Sequence, residues 1–139
     1  MWSRDPALVL LSAEPAPPVK GGQAIWHQNN DVPEPVLLFL TCASLGEGEA
    51  IARRLLELRL IACATLGSHV RSYYTWKGEK QETTEYPLVL KSHREHLPAI
   101  EAEVRRLHSY EVPELIAVPI VGGSADYLAW VAASLAPAR

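Results

Sequence analysis

The sequence predicts an α+β fold made of two β-α-β halves, and three observations predict it. Short runs rich in β-branched and aromatic residues alternate with two longer segments whose apolar residues recur at helical spacing. Two extended runs between those helical segments are joined by Lys77-Gly78, which is typical of a hairpin turn. The order β-α-β-β-α-β makes a ferredoxin-like sandwich, with an antiparallel sheet and both helices on one face. An additional C-terminal helix follows, and the hairpin between the second and third strands is long.

The first strand and helix of the predicted domain are defined by an apolar run and a helix cap. Residues 36–40 are continuously apolar, as in a central strand covered on at least one face. Ser44 and Glu47 form a capping box, which indicates a helix start. Apolar residues then recur every three or four positions, so the helix is predicted to continue to about Leu60.

Two extended runs form the predicted hairpin. The first, residues 70–76, is rich in β-branched and aromatic side chains, and the return strand covers about residues 80–91. Pro87 lies inside the return strand and has no N–H group, so we expect a bulge or a missing ladder hydrogen bond there. A short apolar run, residues 62–66, precedes the hairpin.

The second half repeats the pattern of the first. Ser92 and Glu95 resemble another capping box and predict a helix whose first turn contains Pro98. A polar turn follows this helix, and residues 115–121 then predict the last, buried strand. Ser124 is expected to cap the C-terminal helix.

The composition divides the chain into an arm and a domain. Residues 1–34 are rich in proline and show no helical or strand period, so they are predicted to be a flexible arm. Residues 35–139 are predicted to form one domain with a single core.

Charge, cysteine content and the absence of sequence motifs narrow the functional classes. The net charge of −3 provides no attraction to nucleic acid or anionic membrane, and neither partner is expected. The two cysteines do not suggest a disulfide framework, which favours the reducing cytoplasm. The sequence contains no phosphate-binding loop, dinucleotide-binding fingerprint or common hydrolase motif, so the protein is predicted not to be an enzyme.

The predicted sheet leaves one face without helices. Tyr74, Trp76 and neighbouring aliphatic side chains would form an apolar patch on that face, and patches of this kind usually mark an interface. The long hairpin would also leave an unpaired strand edge. Self-association is therefore predicted to cover this surface.

Four segments carry a resemblance to a known family. They are TCASLGEGEAIARRLLELRLIACATL (residues 41–66), YYTWKGEKQETTEYPLVLKS (residues 73–92), LHSYEVPELIAVPI (residues 107–120) and GGSADYLAWV (residues 122–131). In this order they resemble the CutA divalent-cation tolerance family. The resemblance implies a homotrimer assembled through the hairpins and a role in tolerance to copper and other divalent metal ions. Metal is not expected to be required for folding.

The resemblance also implies a metal site, which this chain retains only in part. In relatives with a copper site, a Cys ends the first strand and two adjacent His residues precede Pro-Tyr. Thr41, Leu107 and Ser109 stand here at the positions of the Cys, the first His and the Pro. His108 is retained in register, and Cys42 lies one residue beyond the Cys position. His108 and Cys42 are therefore the candidate ligands for Cu²⁺ or another divalent cation, although a helix-end histidine and a core thiol are alternatives for both.

A second set of polar and aromatic residues predicts a pocket at subunit boundaries. Its members are Trp76, Lys91, Tyr110, Glu111, Glu114, Tyr127 and Trp130. Convergent polar and aromatic groups are typical of a ligand site, but they equally suit the anchoring of a turn and the sealing of an interface.

Three functions therefore stand side by side. The first is a CutA-like trimeric protein of divalent-metal tolerance that binds copper. The second is a small-molecule sensor, similar to the nitrogen-regulatory PII proteins, with its ligand between subunits. The third is a trimeric scaffold that recruits a partner protein through residues 1–34.

Overall fold

A computed structural model describes residues 34–137 of the chain. Its elements are β1 (Pro35–Cys42), α1 (Leu45–Glu57), β2 (Cys63–Leu66), β3 (Val70–Trp76), β4 (Glu79–His93), α2 (Leu97–Leu107), β5 (Ile116–Pro119) and α3 (Ala125–Ser134), with a turn of 3-10 helix (Arg94–His96) before α2. The predicted arm, residues 1–34, lies outside the described residues except for Glu34, so its flexibility stays a prediction. No helix within this described range is long and apolar enough to cross a membrane.

The sheet and its two helices have the predicted ferredoxin-like arrangement. β1 is central and pairs antiparallel with β4 on one side and β5 on the other, and β4 pairs with β2 and β3 at its far edge. Alternate residues of β1 and β4 meet the inner faces of α1 and α2 in one buried core. The largest fully buried aliphatic members of that core are Leu38, Leu40, Ile51, Leu55, Ile61, Leu88, Leu90, Ile100 and Val104.

The edge strand beside β4 is interrupted, and β2 and β3 are its two segments. Leu66 pairs with Leu88, but Val70 pairs with Glu85, so three edge residues stand opposite two residues of β4. The N–H group of Gly67 donates to the carbonyl oxygen of Pro87 at 2.8 Å. The irregularity predicted at Pro87 is present, but the extra residue lies in the edge strand, and β4 continues unbroken for 15 residues.

The start of α1 agrees with the prediction, and its end does not. The Ser44 hydroxyl accepts a hydrogen bond from the N–H group of Glu47 at 3.1 Å. The helix ends at Glu57 and not near Leu60, because Arg59 adopts the left-handed conformation with a φ of 56°. A left-handed residue just after a helix turns the chain away from the helix axis. The N–H groups that follow can then donate hydrogen bonds to the last carbonyl oxygens of the helix.

The second predicted capping box is wrong. Ser92 belongs to β4, and its hydroxyl donates to the Leu60 carbonyl oxygen at 2.6 Å, so it does not cap a helix with Glu95. Strand pairing continues beyond Ser92, which delays the helix. α2 begins at Leu97, with Pro98 in its first turn as predicted.

α3 packs against part of the sheet face that α1 and α2 leave open. Its Val131 is buried with Ala62 and with Leu135, which follows the helix. The helix begins as predicted, since the Ser124 hydroxyl accepts from the Tyr127 N–H group at 3.3 Å. α3 therefore covers only one end of this sheet face, the end near Tyr127.

The part of this face along β5 is apolar and open. Ile116 and Val118 of β5 are 53% and 39% exposed, beside their strand partners Phe39 and Leu37. β5 is shorter than the predicted strand of residues 115–121. Sequence reasoning expected an open apolar face, but Tyr74, which it named for that face, is half-buried. The exposed aliphatic side chains of β5 are instead its main apolar feature.

Candidate metal and ligand sites

His108 follows α2 directly, and its hydrogen bonds determine its tautomer. The side chain is fully buried. Nε2 lies 2.8 Å from the Thr41 carbonyl oxygen, and Nδ1 lies 3.0 Å from the backbone nitrogen of Tyr110. Because a carbonyl only accepts and an N–H group only donates, Nε2 carries the proton and Nδ1 presents its lone pair. Both ring nitrogens of His108 are thus occupied in the folded chain.

Cys42, Glu47 and His108 form a cluster of three different ligand types. One ligand atom from each side chain lies within 4.8 Å of the other two. The end of β1 carries Cys42, the first turn of α1 carries Glu47, and the residue after α2 is His108. Cys42 points to the helix-covered side of the sheet, opposite to Thr41, and this direction brings it to His108. The two predicted ligands therefore meet, joined by a carboxylate that the sequence indicated only as a helix cap.

The thiol of Cys42 keeps its proton at neutral pH. Burial, together with the negative charges of Glu47 and Glu85, raises the pKa of Cys42 to about 12. A thiol must lose its proton before it ligates a metal. Metal binding at this cluster must therefore release a proton from Cys42.

Glu47 connects two segments through backbone hydrogen bonds. Its carboxylate accepts from the N–H group of Ala43 at 2.8 Å and from the N–H group of Ser109. Burial by itself would raise the pKa of Glu47, but the hydrogen bonds from Ser109 and Ala43, together with His108, hold this pKa below its ordinary value of 4.5. Glu47 is therefore an anion at neutral pH and ties the start of α1 to the turn after α2.

A second polar cluster lies on the opposite side of the sheet, around Glu85. This buried carboxylate is 5% exposed and accepts from the hydroxyl groups of Thr41 and Tyr110 at 2.9 and 3.1 Å. Burial and then the charge of Glu85 raise the pKa of Glu114, against a hydrogen bond from Thr41 that lowers it. Among the described residues, no Lys, Arg or His forms a salt bridge with Glu85 or Glu114. Within residues 34–137 the cluster thus has two neighbouring carboxyl groups and no cation paired with them.

This pair predicts that Glu114→Gln stabilises the isolated chain at neutral pH. A raised carboxyl pKa means that the folded state disfavours the charged form, so the destabilisation is present above the folded pKa and absent below 4.5. Thermal unfolding should therefore show a higher Tm for Glu114→Gln than for wild type at pH 7, and equal values at pH 4. A lower Tm at pH 7 would mean that a cation supplied from outside the chain pairs with Glu114.

Lys91, Tyr127 and Trp130 form a third group, on the part of the sheet near α3. The Lys91 ammonium lies 5.6 Å from the Tyr127 ring centroid, and the Tyr127 and Trp130 centroids are 5.5 Å apart. Lys91 Nζ also lies 3.9 Å from Cys63 Sγ. Because Lys91 is six residues beyond Glu85 on β4, the two groups are about 20 Å apart along the strand.

The predicted pocket residues thus occupy separate places within one chain. Trp76 lies at the hairpin tip, where the Lys77 ammonium is 5.7 Å from its ring, and Glu111 lies exposed in the turn after α2. Tyr110 and Glu114 share the Glu85 cluster, whereas Lys91, Tyr127 and Trp130 share the other.

Sequence reasoning did not name Glu47 or Glu85 as site residues. Glu85 had one available signal, a carboxylate two residues before Pro87 in a run that leads into an apolar strand. Glu47 had none beyond its role in the cap.

Comparisons with known proteins agree on one family. A protein-family model described as CutA1 divalent ion tolerance protein matches residues 36–134. Protein CutA of Homo sapiens is 36% identical over 127 residues, which cover 91% of this chain and 71% of the human protein. The divalent-cation tolerance protein CutA of Pectobacterium atrosepticum is 37% identical over 100 residues, covering 72% of this chain and 91% of that protein.

Solved structures give the same result for the fold. CutA1 from a psychrotrophic Shewanella species superposes with a TM-score of 0.73 at 39% identity, covering 76% of this chain and 98% of that one. The divalent cation tolerance protein of Thermus thermophilus superposes with a TM-score of 0.72 at 33% identity, covering 73% and 99%. Nearly the whole length of each of these two solved chains therefore corresponds to the domain described above.

Proposed function

This chain belongs to the CutA1 divalent ion tolerance protein family, and on that premise we propose that it is a homotrimer that binds a divalent cation, Cu²⁺ in particular, through Cys42, Glu47 and His108. The convergence of thiol, carboxylate and imidazole within 4.8 Å carries the proposal. Thiolate and imidazole are ligands that copper prefers, and the carboxylate balances the charge of a divalent ion. The proposed function is binding, without a catalytic step.

The same contacts predict weak and pH-dependent binding. Each donor already has a partner or a proton: the Cys42 thiol is protonated, and the His108 Nδ1 lone pair accepts from Tyr110. A cation must displace both before it gains these ligands, so part of its binding free energy is offset. Affinity for Cu²⁺ should therefore increase with pH, because a higher pH favours the deprotonated thiol.

The test is a Cu²⁺ titration of tag-free protein under anaerobic conditions. Cys42→Ser should weaken binding by at least about tenfold, because losing a contact that only orients a ligand already changes affinity by that factor, and a lost ligand costs more. Cys63→Ser is the matched control, since Cys63 is the other cysteine and lies outside the cluster. Equal affinities for wild type and Cys42→Ser, or no rise between pH 6 and pH 8, would contradict the proposed site.

The homotrimer is supported by the open face of the sheet. Ile116 and Val118 expose apolar surface beside Phe39 and Leu37, and a monomer would leave this surface in water. Three copies that place these faces together would bury it.

A second candidate function rests on the Glu85 cluster. Two neighbouring carboxyl groups, which no cation of the described part of the chain pairs with, lie beside the Tyr110 hydroxyl; they suit a positively charged organic ligand and repel nucleotides. A trimer with this site at a subunit boundary would be a sensor of the PII-like kind. A thermal-shift series separates the two functions: stabilisation by an organic ammonium compound without stabilisation by Cu²⁺ favours sensing.

A further inference from the structure

A closed ring of four hydrogen bonds passes from the Cys42 cluster to the Glu85 cluster. His108 Nε2 donates to the Thr41 carbonyl oxygen at 2.8 Å, and the Thr41 hydroxyl donates to Glu85 Oε2 at 2.9 Å. The Tyr110 hydroxyl donates to the same Glu85 oxygen at 3.1 Å, and the Tyr110 N–H group donates to His108 Nδ1 at 3.0 Å. The two clusters, on opposite sides of the sheet, are therefore connected through one residue of β1 and one residue of the turn after α2.

His108 Nδ1 is the ring nitrogen that faces the proposed metal position. It lies 3.9 Å from Glu47 Oε1, whereas Nε2 lies against the Thr41 carbonyl oxygen. An imidazole nitrogen has a single lone pair, so Nδ1 cannot accept from the Tyr110 N–H group and bind a cation at the same time. The Tyr110 N–H group must therefore leave His108 whenever a metal ion gains this ligand.

Tyr110 is held in place at both of its polar ends. Its hydroxyl donates to Glu85, a buried carboxylate, and its ring lies beside the His108 imidazole with the two centroids 4.7 Å apart. A hydrogen bond to a charged acceptor is stronger than one between neutral groups. Because the N–H group and the hydroxyl belong to one residue, a shift of the turn that frees Nδ1 weakens the bond to Glu85.

We propose that Tyr110 lowers the affinity of the copper site, because its bond to Glu85 keeps its N–H group on the His108 lone pair. This inference rests on the proposed copper site and names the residue that regulates it. Coupling of this kind is reciprocal, so copper weakens the Tyr110–Glu85 contact to the extent that the contact opposes copper. Copper bound on the helix-covered side of the sheet thus loosens the Glu85 cluster on the other side.

The experiment titrates Cu²⁺ into tag-free, full-length protein and into its Tyr110→Phe variant under anaerobic conditions. The variant keeps the ring and the backbone N–H group and loses only the hydroxyl that binds Glu85. Its affinity for Cu²⁺ should be about tenfold higher than that of wild type, because a hydrogen bond to a charged acceptor no longer has to be given up. If Tyr110 only supported the fold of the site, the same change would weaken binding or leave it unaltered.

A second background shows whether the effect passes through Glu85. Tyr110→Phe should change copper affinity little in Glu85→Gln protein, because an amide is a weaker acceptor than a carboxylate and the bond is already weakened. Tyr73→Phe is the matched control: Tyr73 is 71% exposed on β3 and lies outside both clusters, so copper affinity should not change. An equal gain from Tyr110→Phe in both backgrounds would overturn the route through Glu85.

Hydrogen exchange tests the movement of the turn without a variant. Copper should make the Tyr110 amide hydrogen exchange faster, because the metal takes its acceptor, although a bound ligand usually slows exchange by stabilising the fold. Slower exchange at Tyr110 in copper-loaded protein, or equal copper affinities for wild type and Tyr110→Phe, would overturn this inference. The copper site itself would then stand, provided that Cys42→Ser still weakens binding. Wild-type protein that binds no copper would overturn both.

Discussion

Replacing Ile116 with aspartate should dissociate the proposed trimer and leave each chain folded. Ile116 is 53% exposed on the open sheet face, so its side chain packs little within the chain. In the trimer this position would be buried, and an aspartate there would lose the apolar contact and force a carboxylate out of water. We expect a cost of about 3 kcal/mol per subunit, or roughly 9 kcal/mol over three copies. That corresponds to a decrease of about a millionfold in the association constant.

Sedimentation velocity at micromolar concentration measures this effect directly. Leu56→Asp is the matched control: Leu56 has a similar exposure of 44% but lies on α1, away from the open sheet face. The control should sediment as a trimer, and Ile116→Asp as a monomer with an unchanged circular dichroism spectrum. A trimeric Ile116→Asp protein would place the interface elsewhere, and a monomeric wild type would remove the assembly altogether.

The sequence predicts those parts of the fold that depend on local hydrogen bonds and on apolar periodicity. The caps at Ser44 and Ser124 satisfy N–H groups three residues ahead, so their effect is visible in a short sequence window. Ser92 looks the same locally, but β1 pairs with β4 as far as His93, and this long-range pairing prevents an earlier helix start. The preference of one residue for a helix cap is weak compared with a continuous strand ladder, so strand pairing determines where the helix starts.

The metal ligands were predictable mainly from the family resemblance. It placed a ligand at His108 and another one residue before Cys42, thiol and imidazole are both metal ligands, and the structure brings the two side chains together. Glu47 could not be named, because its contact with Ser109 exists only once α2 packs beside α1. The predicted pocket residues separate for a similar reason: the turn after α2 packs near Glu85 and α3 packs near Lys91, two places along β4 that composition does not reveal.

Glu47 therefore combines two roles, and its removal should have a large effect on stability. Glu47→Ala deletes the acceptor for the N–H groups of Ala43 and Ser109. Hydrogen bonds to a charged acceptor contribute about 1.5–3 kcal/mol each, and partial exposure to water reduces that, so we expect a total loss of about 2–3 kcal/mol. Urea denaturation at pH 7 should show a lower midpoint with an unchanged slope.

The stability lost in Glu47→Ala should also depend on pH, and the lowered pKa of Glu47 determines the direction of that dependence. A carboxyl group with a folded pKa below 4.5 contributes stability above 4.5, and this contribution disappears as the pH falls through the folded value. The difference between wild type and Glu47→Ala should therefore be largest near neutral pH and shrink on acidification. Glu49→Ala is the control, because Glu49 lies on the same helix with its carboxylate 4.0 Å from the exposed Arg53, and its loss should cost less than about 0.5 kcal/mol.

Since Cys42→Ser keeps both backbone contacts of Glu47, it should retain the pH dependence while losing copper. If Cys42→Ser lost both properties together, the carboxylate would be acting through a bound metal and not through the two N–H groups.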